Sequence, residues 1–389
     1  MLSFSLLTHT LDLGTFEQYF ASMNSPILHA RVADSGSSVL DWLALSHVEQ
    51  VGSVRALALV ERFGSPAGAF SATRAELEEI PSLGNEAIQG LLKGPDRKWA
   101  MDQAEQADAL GASVVPMDHS EYPEPLRWIP SPPPVLFVHG VLELTHSRPV
   151  AVVGTRRPTE IGLDTCHRLC TAWVARGVRI VSGLAMGIDE QSHRSALAAQ
   201  GETIAVLGCP LDEMGTTGRG RLAQEISRQG LLVTEHPFGA PVVPPNFARR
   251  NRIIAGLSQA VVVVEAPRGS GALITAAHAL EQDRELLACP GPAGGTSWEG
   301  CFHLLRQGAR LCAGPEDLLD TMGWLSQTLA DADQSPSPVV KLLRRGDATA
   351  EEIALRLDLP ISKLQGELVL LELSGAVRRG PGGRFTVRP

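Results

Sequence analysis

Residues 246–266 read NFARRNRIIAGLSQAVVVVEA and set Arg249, Arg250 and Arg252 just ahead of an apolar run with the character of a buried strand. Clustered guanidinium groups pair with phosphate or carboxylate oxygens through a planar fork of donors, so anion binding is the chemistry they could do. The chain as a whole carries 34 basic and 43 acidic side chains, a formal charge of −9. An anion site would therefore be local, and a solvated helix face is the competing account. If 246–258 is one helix opening near Asn246, Arg249 and Arg252 are i,i+3 neighbours and Arg250 points away from them. Phe247, at the same end, is a candidate for stacking a base, with a core anchor as its alternative.

Other stretches repeat the theme at the ends of apolar runs. VAVVGT is followed by RRPTEIG, VRIVSG by LAMGIDEQSH, LLVTEH by PFG and AVVVVEA by PRGSGALIT. In Gly154-Thr155-Arg156-Arg157 the glycine lets backbone approach a ligand and an arginine can pair with phosphate, while Ser182-Gly183 and Gly269-Ser270-Gly271 offer amides and hydroxyls. Any one of these is what a strand-to-helix turn needs anyway. Several arriving at one sheet edge make an anion-binding crevice.

Several chemistries are disfavoured. GTRRPTEIG is not the GxGxxG of dinucleotide folds, and there is no GxxxxGK[ST], so NAD or nucleoside triphosphate chemistry is not expected. Ser182, Asp189 and His193 suggest a hydrolytic triad, but Asp189 and His193 are i,i+4 on one helix and the GxSxG elbow is missing. A helix-start carboxylate and a packing histidine is the better account. Asp189, Asp212 and Glu265 follow three separate strands without a DxD, which makes a metal nuclease improbable. The six cysteines form no CxxC pair and read as reduced thiols of a cytoplasmic protein. Neither a signal peptide nor a membrane span is expected from the pattern. No cofactor and no metal is called for.

These loops need a scaffold. From residue 113 to 312, nine short runs (SVVPM, VLFVHG, PVAVVGT, VRIVSG, TIAVLGC, LLVTEH, AVVVVEA, ELLACPG and ARLC) alternate with helical stretches. Runs so uniformly apolar suit strands covered on both faces, and the alternation argues an α/β, Rossmann-like, doubly wound and mostly parallel sheet. Five segments follow: an N-terminal extension over 1–40 that ends in DSGSS, helices over 41–104, the Rossmann-like domain over 105–325, a linker over 326–338 and a tail over 339–389. Met23 is a possible alternative start. The helical segment carries Val51-Gly52 and Leu83-Gly84 between helical runs, as in a helix-hairpin-helix (SAM-like) module, or simply as tight turns. The tail holds nine basic and six acidic side chains, leaving −12 for the remainder. Its order of three helices and two strands around GPGG is that of a winged helix.

The ordered series VAVVGTRRPTEIG, IVSGLAMGIDEQSHRSAL, TIAVLGCPLD, GLLVTEHPFG, NFARRNRIIAGLS, VVVVEAPRGSGALITAAHALEQDRE and ACPG resembles the DNA-processing protein A (DprA/Smf) family across most of 105–312. The resemblance implies binding, not catalysis. It implies single-stranded DNA held along a basic pocket of the Rossmann domain, a homodimer through that domain, and the loading of a RecA-type recombinase during natural transformation. The family's Gly-Ser-Arg motif falls on Gly154, Thr155 and Arg156, and its SGLAxGID motif on residues 182–189. Its NFPxRNRIIAGL motif falls on 246–257 and its SGALIT motif on 270–275. The expected single-stranded DNA contacts are Gly154, Thr155, Arg156, Ser182, Gly183, Arg221, Asn246, Phe247, Arg249, Arg250, Arg252, Ser270 and Gly271.

There are departures from the family pattern. Threonine replaces serine at 155, alanine replaces proline at 248, and Phe302 stands where Asn or His is common. DEMGTTGRGRLAQEI lacks the aromatic-proline turn but keeps a basic position at Arg221. Two rivals remain at this stage. A nucleotide-cleaving phosphoribohydrolase of the lysine-decarboxylase-like Rossmann group would carry PGGxGTxxE, which ACPGPAGGTSWEG does not match. A duplex-binding regulator would read DNA with ISKLQGELVLLELSG, whose only base is Lys363.

Overall fold

A computed structural model describes residues 39–141, 148–215, 218–324, 338–343, 346–357, 359–373, 377–380 and 383–387. The expectations for the N-terminal extension, for Met23 and for most of the linker fall outside these residues. The chain divides into two compact units, one ending at Leu318 and the other beginning at Leu319.

The first unit opens with six helices: α1 (Val39–His47), α2 (Ser53–Phe63), α3 (Pro66–Ser71), α4 (Arg74–Glu78), α5 (Asn85–Leu92) and α6 (Arg97–Leu110). Gly52 and Gly84 cap the N-termini of α2 and α5. The Arg55 guanidinium ties the two turns together, donating to the carbonyls of Ser82 and Gln50. These helices pack on the sheet that follows. The buried Gln103 of α6 holds both backbone groups of Phe238: its amide donates to the Phe238 carbonyl at 3.3 Å and its oxygen accepts the Phe238 N–H at 2.8 Å. Phe238 in turn meets Phe137 edge to face.

The sheet contains β1 (Ser113–Pro116), β2 (Val135–Gly140), β3 (Arg148–Val153), β4 (Val178–Ser182), β5 (Thr203–Val206), β6 (Leu231–Thr234), β7 (Ala260–Val263), β8 (Glu285–Ala288) and β9 (Arg310–Leu311). All nine apolar runs are thus strands, in the order β1-β2-β6-β5-β4-β3-β7-β8-β9. From β6 to β9 neighbours are parallel, whereas β1–β2 and β2–β6 are antiparallel. β4 to β7 are buried at every position, as strands covered by helices on both faces must be.

The covering helices are α7 (Glu124–Arg127), α8 (Glu160–Val174), α9 (Ile188–Ala198), α10 (Gly220–Gln229), α11 (Pro244–Arg249), α12 (Asn251–Gly256), α13 (Ala272–Glu281), α14 (Glu299–Arg306) and α15 (Pro315–Thr321). α8 illustrates how sequence sets position. Thr159 caps it by accepting the Gly162 amide at 3.1 Å, and Cys166, Leu169, Cys170 and Trp173 recur at helical spacing to form its buried stripe.

The chain runs from β3 through β4 and β5 to β6 on one side, then crosses back to β7 on the other side of β3. The loops after β3 and β7 therefore diverge, and a crevice opens between them at the carboxyl edge. The crossing segment differs from expectation. Instead of one helix from Asn246, there are two short ones, α11 starting two residues earlier on Pro244 and α12 starting at Asn251. The turn tightens at Arg250, whose carbonyl accepts Ile253 N at 2.9 Å, an i to i+3 bond.

In the second unit the order is α16 (Pro338–Leu343), β10 (Ala348–Thr349), α17 (Ala350–Leu357), α18 (Ile361–Leu373), β11 (Val377–Arg379) and β12 (Arg384–Val387). The strands pair antiparallel as β10-β12-β11 around a core that includes Val339, Ile353, Leu364, Leu368 and Phe385. The short β10 was not foreseen; two residues carry no periodic signal.

Candidate functional site

The crevice at the switch between β3 and β7 has a volume of about 730 Å³. Gly154, Thr155, Arg156 and Arg157 form one wall, Arg268, Gly269, Ser270 and Gly271 the other, and Phe247 and Arg250 come from the crossing segment. Its charged lining is Arg156, Arg157, Arg250 and Arg268 against the single carboxylate of Asp189. Arg156, Arg157 and Arg268 are exposed, and none forms an ion pair among the described residues. Three cations on a crevice rim with no internal partner are available to an anionic ligand.

The arginine cluster separates into three roles. Arg249 is exposed, 3.8 Å from Glu235. Arg250 is buried beneath the crevice, where it donates to the carbonyls of Gly183 and Val206, at the carboxyl ends of β4 and β5, and to the Asn251 side chain at 2.9 Å. Burial draws its pKa down to about 10, against the pull of Asp189, so it stays cationic at neutral pH. Arg252 does not reach the crevice. It meets Glu235 through two bonds of 2.7 and 2.6 Å and donates to Ser131 O at 2.7 Å, with both side chains 8% exposed. The expectation that it neutralises phosphate is corrected by this geometry: its fork is already filled. Burial alone would raise the Glu235 carboxyl, but Arg252, Arg249 and His236 outweigh that and hold it below the ordinary range.

Several other expected contacts are internal. The Ser182 hydroxyl donates to Val152 O at 2.6 Å and is fully buried. The Gly183 amide is taken by Asp189 at 3.2 Å, and the nearby Gly154 amide favours the charged form of that carboxylate. Thr155 donates its amide to Glu265 O at 2.7 Å and accepts Arg157 N on its hydroxyl at 3.2 Å. Asn246 is buried, with its amide on Pro241 O at 3.3 Å. Arg221 is almost wholly exposed on α10, pairs with Glu225 at 3.2 Å and does not line the crevice. Ser182, Gly183, Asn246 and Arg252 are therefore held by internal partners, and Arg221 stands exposed outside the crevice. Gly154, Thr155, Arg156, Phe247, Arg250, Ser270 and Gly271 do line the crevice.

Phe247 is partly exposed and its ring rests on Gly208, where an added Cβ would come within 2.8 Å of it. Arg157 and Arg268 were not among the expected contacts. Both stand in loops that follow strands, and that position was the available signal. Arg219 does not line the crevice. Its charge reaches Arg250 and depresses it further.

The triad reading has no geometric support. Ser182 gives its proton to a carbonyl, and His193 lies fully buried with Nδ1 2.7 Å from Thr203 Oγ1. Burial, reinforced by Arg250, brings the His193 pKa down to about 3. Among the described residues no group of His, Cys, Asp or Glu is arranged to hold a metal, and no helix is long and apolar enough to cross a membrane.

Glycine 183 gives a direct check on the Arg250 bridge. A Cβ there would collide with the guanidinium group, whereas at Gly271 an added Cβ meets nothing within 4 Å. Gly183→Ala is expected to lose about 1–3 kcal/mol in urea denaturation, the usual cost of overpacking, while Gly271→Ala unfolds like the parent. Equal midpoints for the two variants would contradict the bridge.

The profile of the DNA recombination-mediator protein A family matches residues 113–323, and that of the DprA winged helix domain matches residues 325–383. The chain belongs to the DprA/Smf family. Protein Smf of Synechocystis is 33% identical over 390 residues, spanning 89% of this chain and 98% of the relative. Protein Smf of Escherichia coli is 39% identical over 289 residues, 71% of this chain and 77% of the relative. The X-ray structure of DNA processing protein A from Streptococcus pneumoniae superposes with a TM-score of 0.60 at 29% identity, covering 74% of this chain and 94% of that one. Family membership thus rests on both units, and DNA processing is the activity attached to the DprA/Smf name. The crevice, with Gly154, Thr155 and Arg156 on one wall and Ser270 and Gly271 on the other, lies inside the matched region.

Proposed function

We propose that this protein binds single-stranded DNA in the switch-point crevice and acts there as a recombination mediator rather than as an enzyme. The observation that carries the reading is the set of Arg156, Arg157 and Arg268, which form no ion pair among the described residues, around a partly exposed Phe247. Guanidinium groups on the rim meet successive phosphates while an aromatic face receives a base, the combination that suits a strand whose bases are free to splay. A duplex keeps its bases stacked inside and would leave Phe247 unused. The winged helix is a poor alternative reader. Its α18 carries one base, Lys363, in a largely apolar run. Protection of incoming strands, loading of a RecA-type recombinase, a homodimer through the Rossmann domain and a cytoplasmic location complete the proposal, with family membership as their support. No cofactor enters it.

Competition between oligo-dT and a duplex of equal length for the full chain tests the reading. Oligo-dT should win, and log affinity should fall with log salt with a slope of about −2 or steeper, at roughly 0.7 per phosphate neutralised on a single strand. Equal affinity for the duplex, or binding indifferent to salt, would sink it.

A further inference from the structure

The amides at the ends of β3 and β4 converge on a side chain. The Asp189 carboxylate, 5% exposed, accepts the Gly183 amide at 3.2 Å; burial raises its pKa, while Arg250 and the nearby amides of Ala185, Gly183 and Gly154 draw it back toward the charged form. The Arg250 guanidinium faces it, and it lines the crevice. Backbone N–H groups converging on a small concavity, with a cation behind them, are what seats a phosphate in nucleotide-binding folds of this layout. A second such place is also filled. The fully buried Glu265 carboxylate sits at the start of α8, accepting the Thr159 amide at 3.0 and 3.2 Å and the Thr159 hydroxyl at 3.1 Å. Where a free nucleotide would rest its phosphate on backbone, this chain carries its own negative charge.

We propose that Asp189 is a specificity-determining residue, which fills the amide nest so that the crevice offers no seat to the terminal phosphate of a mononucleotide. The inference rests on the crevice being the single-stranded DNA site. A terminal phosphate carries close to two negative charges, would need the same amides and would meet a like charge already bound to them. The phosphates inside a strand carry one charge each and need no deep seat. They gather affinity from several rim contacts in series at Arg156, Arg157 and Arg268, which a mononucleotide with one phosphate cannot do. Asp189 thereby keeps free nucleotides from competing with the polymer.

The test uses the full chain with Asp189→Ala, which empties the nest and leaves the Gly183 amide without its acceptor. A small anion should take the vacated place. The ratio of oligo-dT affinity to dTMP affinity is expected to fall by at least about tenfold, with dTMP binding gained. Inorganic phosphate should raise the Tm of the variant but not of the parent. Asp212→Asn is the control, since Asp212 holds the Gly239 amide at 3.2 Å and does not line the crevice; its ratio should match the parent's. Should Asp189→Ala fail to fold, Asp189→Asn keeps the shape, removes the charge and must move the ratio in the same direction. An unchanged ratio in the folded variant, or an equal gain for oligo-dT and dTMP, overturns the inference. A parent that binds no oligo-dT overturns the reading of the site instead.

Discussion

Arg252→Ala is expected to lose about 3–5 kcal/mol of folding stability, because it leaves the buried Glu235 carboxylate with only the exposed Arg249 at 3.8 Å. The two groups share a bidentate pair, and Arg252 also ties the crossing segment to Ser131 in the loop before β2. Urea denaturation of the single variants and of Arg252→Ala with Glu235→Ala checks this. The double variant should cost clearly less than the sum of the singles, since removing both partners leaves no orphaned charge. Strict additivity would show that the pair does not act as a unit. The pair also predicts a pH dependence. The Glu235 pKa is held below its ordinary value of 4.5, so the stability it contributes is complete above that value and is lost as pH falls through the depressed folded-state pKa. The parent should lose stability below about pH 4.5 more steeply than the double variant does.

The largest effect on binding should come from the triple variant Arg156→Ala, Arg157→Ala, Arg268→Ala. All three side chains are exposed on the crevice rim, so the fold should be little affected. If each guanidinium meets one phosphate, the salt slope for oligo-dT should flatten by about 2 and affinity at moderate salt should drop by a hundredfold or more, at roughly 1.5 kcal/mol or above per charged hydrogen bond. Fluorescence anisotropy at several salt concentrations measures both quantities. A triple variant with the parent's slope would place the strand elsewhere on the protein. Arg249, exposed but close to Glu235, should contribute less than any of the three.

Much of this architecture can be read from residue order because buried parallel strands have no polar face to confuse the pattern. Runs such as AVVVVEA and TIAVLGC need only length and β-branching to be recognised, and turn residues punctuate them. Strand direction is another matter. Nothing local distinguishes VLFVHG, which runs antiparallel to its neighbours, from PVAVVGT, which runs parallel to them. The site was legible as a set of loops, since topology alone brings the carboxyl ends of β3 and β7 together. The work of individual side chains was not. Arg252 finds Glu235 across 17 positions and Ser131 across 121, and whether a guanidinium is filled or free depends on such partners. Gly183 similarly reads as a phosphate-facing amide until Asp189 is seen to hold it. The internal carboxylates answer to the same physical rules as a ligand would, so local pattern cannot separate the two.

The hold of Gln103 on Phe238 bears on how this protein can be divided. The stem of the arm that delivers Phe247 to the crevice is fastened to α6 as well as to the sheet. A product cut to begin at β1 would leave the Phe238 N–H and carbonyl without their partner. The helices before the sheet are thus a brace for the ligand-facing arm, and an exchange of modules between relatives would have to carry α6 and the Phe238 loop together.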